Sequence, residues 1–141
     1  MKKNLLSFSI IGDERGNLVS LEELKNVPFA IKRIYYLYDL QRNFPRGFHA
    51  HKNLQQVLIC IKGSCNVLLD NGQERQSYHL DQPHFSLFID RMIWHEMHDF
   101  SDECVLVVIA SDYYDENDYI RKYSDFMNCQ IQKVISFEKE V

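Results

Sequence analysis

The chain has 141 residues, 45% hydrophobic and 26% charged, which suits one domain of ordinary size with a real core and argues against intrinsic disorder. Sixteen basic against twenty acidic residues leave a net charge of −4, which argues against a protein that grips nucleic acid by neutralising its phosphates, while a small phosphorylated ligand needs only one or two arginines. No apolar run approaches the roughly 18 residues of a membrane span, and the start Met1-Lys2-Lys3 lacks the apolar stretch and cleavage site of a leader, so a cytoplasmic protein is expected.

In chain order, Asp13-Glu14-Arg15-Gly16-Asn17 is a charged turn ahead of a short apolar strand at residues 18–21. On composition alone it is a solvated loop. Residues 30–38 are rich in β-branched and aromatic side chains and predict a strand. Its period of two puts Arg33, Tyr35 and Leu37 on one face and Ile34, Tyr36 and Tyr38 on the other. Either face can be the inner one; a cavity for a polar ligand prefers Arg33 and Tyr35.

Pro45-Arg46-Gly47-Phe48-His49-Ala50-His51-Lys52 follows, and strand geometry points His49 and His51 the same way. Strands are predicted at residues 57–61 and 65–69, on either side of Lys62-Gly63-Ser64. The Asn71-Gly72 pair is a strong hairpin signal before further strands at 77–80, 85–89 and 104–110. Between the last two lies Trp94-His95-Glu96-Met97-His98-Asp99-Phe100, in which at most one of His95 and His98 can face a lumen. From Asp115 the apolar positions Tyr119, Ile120, Tyr123, Phe126 and Met127 take helical spacing, so an amphipathic helix is expected over about 115–128, with Asp115 and Asp118 at its start. Many short strands closed by one helix suggest an antiparallel sandwich or barrel. The four cysteines show no CxxC spacing, and Cys60, Cys65 and Cys104 lie in apolar runs, so they are read as reduced core thiols.

Two imidazoles on one strand face can ligate a metal or move protons near neutral pH; a pair of surface histidines is the plain alternative. Gly47, His49, His51 and Gly63, with His95 as the later histidine, resemble the metal-binding motifs of cupins, the small jelly-roll barrels. The cupin carboxylate is replaced by Gln55 and Gln56, and an amide is a poorer ligand for a divalent cation. A three-histidine metal site therefore ranks second and acid–base chemistry first. In that chemistry Arg33 can bind a phosphate or an enolate and Tyr35 can donate a proton, unless the tyrosine fills the core and the arginine reaches solvent.

Taken in order from about Gly12 to Tyr123, five runs are similar to the dTDP-4-oxo-6-deoxy-D-glucose 3,4-ketoisomerases: Ile31-Lys32-Arg33 with Tyr35-Tyr36, Arg46 to Lys52, Gln56-Val57-Leu58, Trp94 to Phe100, and Ala110 to Arg121. The resemblance implies a mainly β, single cupin domain over residues 1–141, a jelly-roll barrel with a C-terminal helix. It implies an isomerase without metal or cofactor, acting on a dTDP-linked 4-oxo-6-deoxy sugar in the making of 3-amino-3,6-dideoxyhexoses for bacterial surface glycans. It also implies a homodimer that exchanges its N-terminal strands, here about residues 5–21. The family's proton acceptor falls on His49, its second histidine on His51 and their neighbouring tyrosine on Tyr35. Arg33, Arg15, Arg46, Gln56 and His95 are the expected substrate-binding residues, and Arg15-Gly16 looks like the branch that forms the galacto product. The rivals are a 3,5-epimerase-like cupin on a similar nucleotide sugar and a sugar-binding cupin without activity.

Overall fold

In the computed structural model, residues 4–141 are described. These residues form twelve strands: β1 (Leu5–Ser7), β2 (Ile11–Asp13), β3 (Gly16–Leu18), β4 (Arg33–Leu37), β5 (Arg46–His51), β6 (Gln56–Lys62), β7 (Cys65–Asp70), β8 (Arg75–Leu80), β9 (Phe85–Ile89), β10 (Trp94–His98), β11 (Val105–Ala110) and β12 (Tyr119–Ile120). One helix, α1 (Tyr123–Lys139), follows. Two five-stranded antiparallel sheets, in the orders β1-β9-β6-β11-β4 and β12-β5-β10-β7-β8, form the barrel of a cupin-like fold. Their inner faces meet in one core, where Leu58, Leu87, Leu106 and Val108 of the first sheet pack with Val67, Leu69, Leu80 and Met97 of the second.

β6 is apolar at nearly every position because both its faces are covered. Leu58 and Cys60 face the core, while Val57 and Ile59 pack outward against Phe8, Val27 and Phe29. The outer face of the second sheet is closed by α1, with Phe126 against Ala50, Trp94 and Ile120. The Asn71-Gly72 signal is realised as the β7–β8 turn, where Gly72 has φ +90° and Asn71 Oδ1 accepts from the backbone N–H groups of Gln73 and Glu74.

Two expected elements are displaced. The strand at residues 18–21 forms earlier, as β3, because Gly16 (φ +130°) closes a hairpin with β2; Val19 and Leu21 instead pack against the Phe8 cluster. The helix over 115–128 begins only at Tyr123 and runs on to Lys139. Asp115 is a cap, but of a single 3₁₀ turn, Glu116–Asp118, in which it accepts from Asn117 N–H. Tyr119–Ile120 instead pairs with β5, which buries Ile120 beside Ala50, Trp94 and Phe126.

A bulge in β5 positions the site. The register with β10 slips from His95↔His49 to Glu96↔Gly47, and the extra residue, Phe48, sits at φ +58° beside Gly47 at φ +92°. A Cβ on Gly47 would stand 2.8 Å from the His95 carbonyl oxygen, so only glycine lets the two strands approach this closely.

Candidate active site

The paired faces of β5 and β10 bring His49, His51 and His95 together, with Tyr119 of β12 closing the cluster. Ring centroids are 4.5 Å apart for His49–His95, 4.9 Å for His49–His51 and 5.9 Å for His51–His95. Tyr119 lies 4.9 Å from His49 and 4.4 Å from His51. His98, three residues beyond His95, faces the other way and pairs with Glu96 at 2.8 Å, as strand alternation requires.

Each of the three imidazoles has Nδ1 against an oxygen that can only accept. His49 Nδ1–H donates to Gly47 O at 2.9 Å, His51 Nδ1–H to Asp118 Oδ2 at 3.1 Å, and His95 Nδ1–H to Ile93 O at 3.2 Å. The tautomer is thereby set: protons sit on Nδ1 and the Nε2 lone pairs are left for chemistry. His51 Nε2 is buried with no partner among the described residues. Burial holds the protonated form of all three down; His51 falls to about 4, with the charge of His49 adding to the effect, and His95 lies well below the ordinary histidine value. At neutral pH the cluster is a set of bases.

The same shifts fix a pH dependence of stability. A histidine whose folded pKa is depressed takes up its proton in the unfolded chain first, so stability falls as pH drops from the ordinary value of about 6.5 towards about 4, where His51 titrates. Thermal melts between neutrality and that limit should show a steadily falling Tm; a flat profile would mean that the three rings are not held neutral.

In front of the histidines lies a cavity of about 260 Å³ lined by Arg33, Tyr35, Arg46, His49, Tyr114 and Tyr119 among others. Of the two faces open to β4, Arg33, Tyr35 and Leu37 are therefore the inner one, while Ile34, Tyr36 and Tyr38 are exposed. Gln56 Nε2 donates to Tyr35 Oη at 2.8 Å, which leaves the phenolic proton free for a ligand. Burial pushes Tyr35 up to about 12, so that proton is retained. The Arg33 guanidinium lies 5.1 Å from the Tyr35 ring centre, and its buried Nε–H has no partner among the described residues. A larger groove of about 690 Å³, between α1 and residues 71–73, exposes mainly apolar surface and shares no lining residue with this cavity.

Arg46, Arg33, Tyr35 and His49 line the cavity; His51, His95 and Gln56 are buried behind it. Arg15 stands apart at the tip of the β2–β3 hairpin, exposed and paired with Asp13 at 2.6 Å. Sequence reasoning missed Asp118 as a site residue. Its carboxylate accepts from His51 Nδ1–H and from the backbone N–H groups of Asn53 and Leu54, tying the end of β5 to the strand that carries Tyr119. The ligand nitrogens of His49, His51 and His95 lie within 4.8 Å of one another, so the trio can surround a cation. Where a cupin carboxylate is expected stand Gln55, whose amide donates to Asp90, and Gln56, whose amide donates to Tyr35, so the donor set is wholly neutral.

A family model described as FdtA: WxcM-like, C-terminal matches residues 1–131. The chain is 54% identical, over 99% of both chains, to a TDP-4-oxo-6-deoxy-alpha-D-glucose-3,4-oxoisomerase of Aneurinibacillus thermoaerophilus. Its fold matches a 3,4-ketoisomerase from Helicobacter canadensis with a TM-score of 0.87 at 49% identity, covering 89% of this chain and 95% of the other. It also matches a mutant of the 3,4-ketoisomerase QdtA from Thermoanaerobacterium thermosaccharolyticum in complex with TDP-4-keto-6-deoxyglucose, with a TM-score of 0.88 at 41% identity over 91% and 93% of the two chains.

Proposed function

Since the chain belongs to the FdtA, WxcM-like C-terminal family, we propose that it is a nucleotide-sugar 3,4-ketoisomerase that moves the carbonyl of TDP-4-oxo-6-deoxy-D-glucose from C4 to C3. The observation that carries this reading is a cluster of imidazoles, all with Nδ1 engaged and held neutral by burial, beside a protonated tyrosine and an arginine. The C4 ketone acidifies the C3–H bond. His49, which lines the cavity, takes that proton, and the electron pair delocalises into an enediolate. Tyr35 O–H and the unpartnered Arg33 Nε–H stabilise the oxygen charge, and His51 moves the proton between the two oxygens. Reprotonation at C4 leaves the ketone at C3. Every step is proton transfer, and the chain's own residues supply each group.

The position of the bases supports one stereochemistry of the product. His49, His51 and His95 come from one wall, β5 and β10. A base on one side of a planar enediolate removes and returns protons on the same face. The hydrogen on C3 of a D-gluco ring and that on C4 of a D-galacto ring share a face, so the galacto product is the one proposed. It serves 3-amino-3,6-dideoxyhexose synthesis.

Incubation with TDP-4-oxo-6-deoxyglucose, with and without EDTA, followed by NMR of the product, tests both the reaction and the role of the histidines. A galacto 3-ketosugar formed equally well in EDTA is expected. Turnover abolished by EDTA and restored by zinc or iron would favour the second reading, a metal held by the three histidines, and exchange at C5 would indicate an epimerase.

The same reading includes a cytoplasmic homodimer. Among the described residues the β2–β3 hairpin pairs with neither barrel sheet, and Ile11 and Leu18 on it are exposed, as are Ile34 and Tyr36 on the edge strand β4 and Tyr38 just after it. A second copy covering these faces would carry Arg15 towards its neighbour's cavity. A dimer is expected in sedimentation at micromolar concentration; a fully active monomer would remove the proposal.

A further inference from the structure

Far from the histidines, the barrel holds a second group of reactive side chains that the isomerase reading leaves unused. Cys60 near the end of β6, Cys65 at the start of β7 and Cys104 just before β11 are 1%, 0% and 2% exposed, and none is in a disulfide. Their sulfurs lie within 4.8 Å of one another, with Cys60 and Cys104 at 3.8 Å. Cys60 is four residues along β6 from Gln56, about 13 Å at the usual strand rise. Leu58, Val67 and Leu106 fill the space between the two ends. The thiols sit under a double clasp of the 62–64 turn and the 101–104 loop, in which Ser101 N–H donates to Ser64 O and Ser64 N–H to Ser101 Oγ, each at 2.9 Å.

We propose that Cys60, Cys65 and Cys104 form a three-sulfur binding site for a soft monovalent cation of the Cu(I) class. Metal–sulfur bonds of about 2.3 Å in a trigonal plane set the sulfurs about 4 Å apart, close to the spacing already present before any ion enters. The donors decide the ion. No histidine or carboxylate belongs to this cluster among the described residues, so hard cations find no ligand, and a structural zinc would lack its fourth. Thiolate sulfur in a closed, apolar setting selects Cu(I). In the empty site Cys60 Sγ–H donates to Lys62 O at 3.2 Å, a contact that the ion replaces. Each thiolate formed releases one proton to solvent, and the ion enters and stays as Cu(I), so no electron is exchanged.

The test is titration of the reduced full-length protein with Cu(I) against a competing chelator, with X-ray absorption of the loaded protein. One ion per chain and three sulfur neighbours at about 2.3 Å are expected. Cys60→Ser, Cys65→Ser or Cys104→Ser should each weaken binding by more than the roughly 10–100-fold that loss of an outer partner costs. Cys129→Ser, outside the cluster, and His49→Asn should leave it unchanged. Nitrogen neighbours in the spectrum, undiminished affinity in the three cysteine variants, or no binding by the reduced protein would overturn the assignment. The absorption spectrum is read on the unaltered chain, so a serine variant that fails to fold does not remove the test.

Discussion

His49→Asn should lower kcat by about 10²–10⁴, the usual worth of a general base, while the affinity for TDP stays close to that of the parent protein. Asparagine keeps a polar group of similar reach in the cavity wall but has no basic nitrogen where Nε2 stands. Nucleotide binding draws on phosphates and base, which a change at the sugar leaves alone, so the loss falls on kcat and not on KM. The second readout is deuterium from solvent at C3, which should fall with turnover. In His51→Asn, by contrast, exchange at C3 should outlast product formation, because only the transfer between oxygens is impaired. Exchange and turnover at parental levels in His49→Asn would show that this imidazole is not the base.

Asp118→Asn should cost about 10–100-fold in kcat, as expected for a group that orients a functional histidine, and should also change the pH profile. The carboxylate offers two accepting oxygens to three donors, the Nδ1–H of His51 and the N–H groups of Asn53 and Leu54. An amide offers one oxygen and turns an N–H towards one of those donors. The charge of Asp118 also supports protonated His51. Removing it lowers the histidine further, so the acid limb of the rate profile should move to lower pH. A variant with reduced melting temperature but an unmoved pH profile would make Asp118 a loop anchor and nothing more.

Strand alternation makes much of this site legible in the sequence. It placed His49 and His51 together, separated His95 from His98, and put Arg33 with Tyr35, because a period of two depends only on neighbours along the chain. Burial was needed to choose which face of β4 looks inward. Asp118 stayed hidden because its partner is His51, 67 residues earlier, and no local pattern records such a contact; its spacing from Asp115 suited a helix start equally well. The helix itself was misplaced for a related reason. Tyr119 and Ile120 fit a helical stripe, yet pairing with β5 and burial against Trp94 outweigh that preference. Arg15 was singled out only through resemblance, and within a single chain it meets no other member of the site. Cys60 and Cys65 lie in strands and Cys104 just before one, as their apolar runs suggest, but their convergence depends on the pairing of β6 with β11 and on the turn into β7.

The late position of Asp118 and Tyr119 bears on how the protein is made. The β7–β8 hairpin can close as soon as it leaves the ribosome, since its two strands are near in sequence. β5 cannot complete its own pairing in this way, for one neighbour is β10 and the other is β12. At roughly 5–20 residues per second, the two histidines of β5 emerge some seconds before the strand that encloses them. Until residue 120 is out, the nascent barrel is a sheet with an open edge and an unpinned His51. A transcript cut short between β11 and β12 would thus yield most of the barrel, both histidines included, and no enzyme.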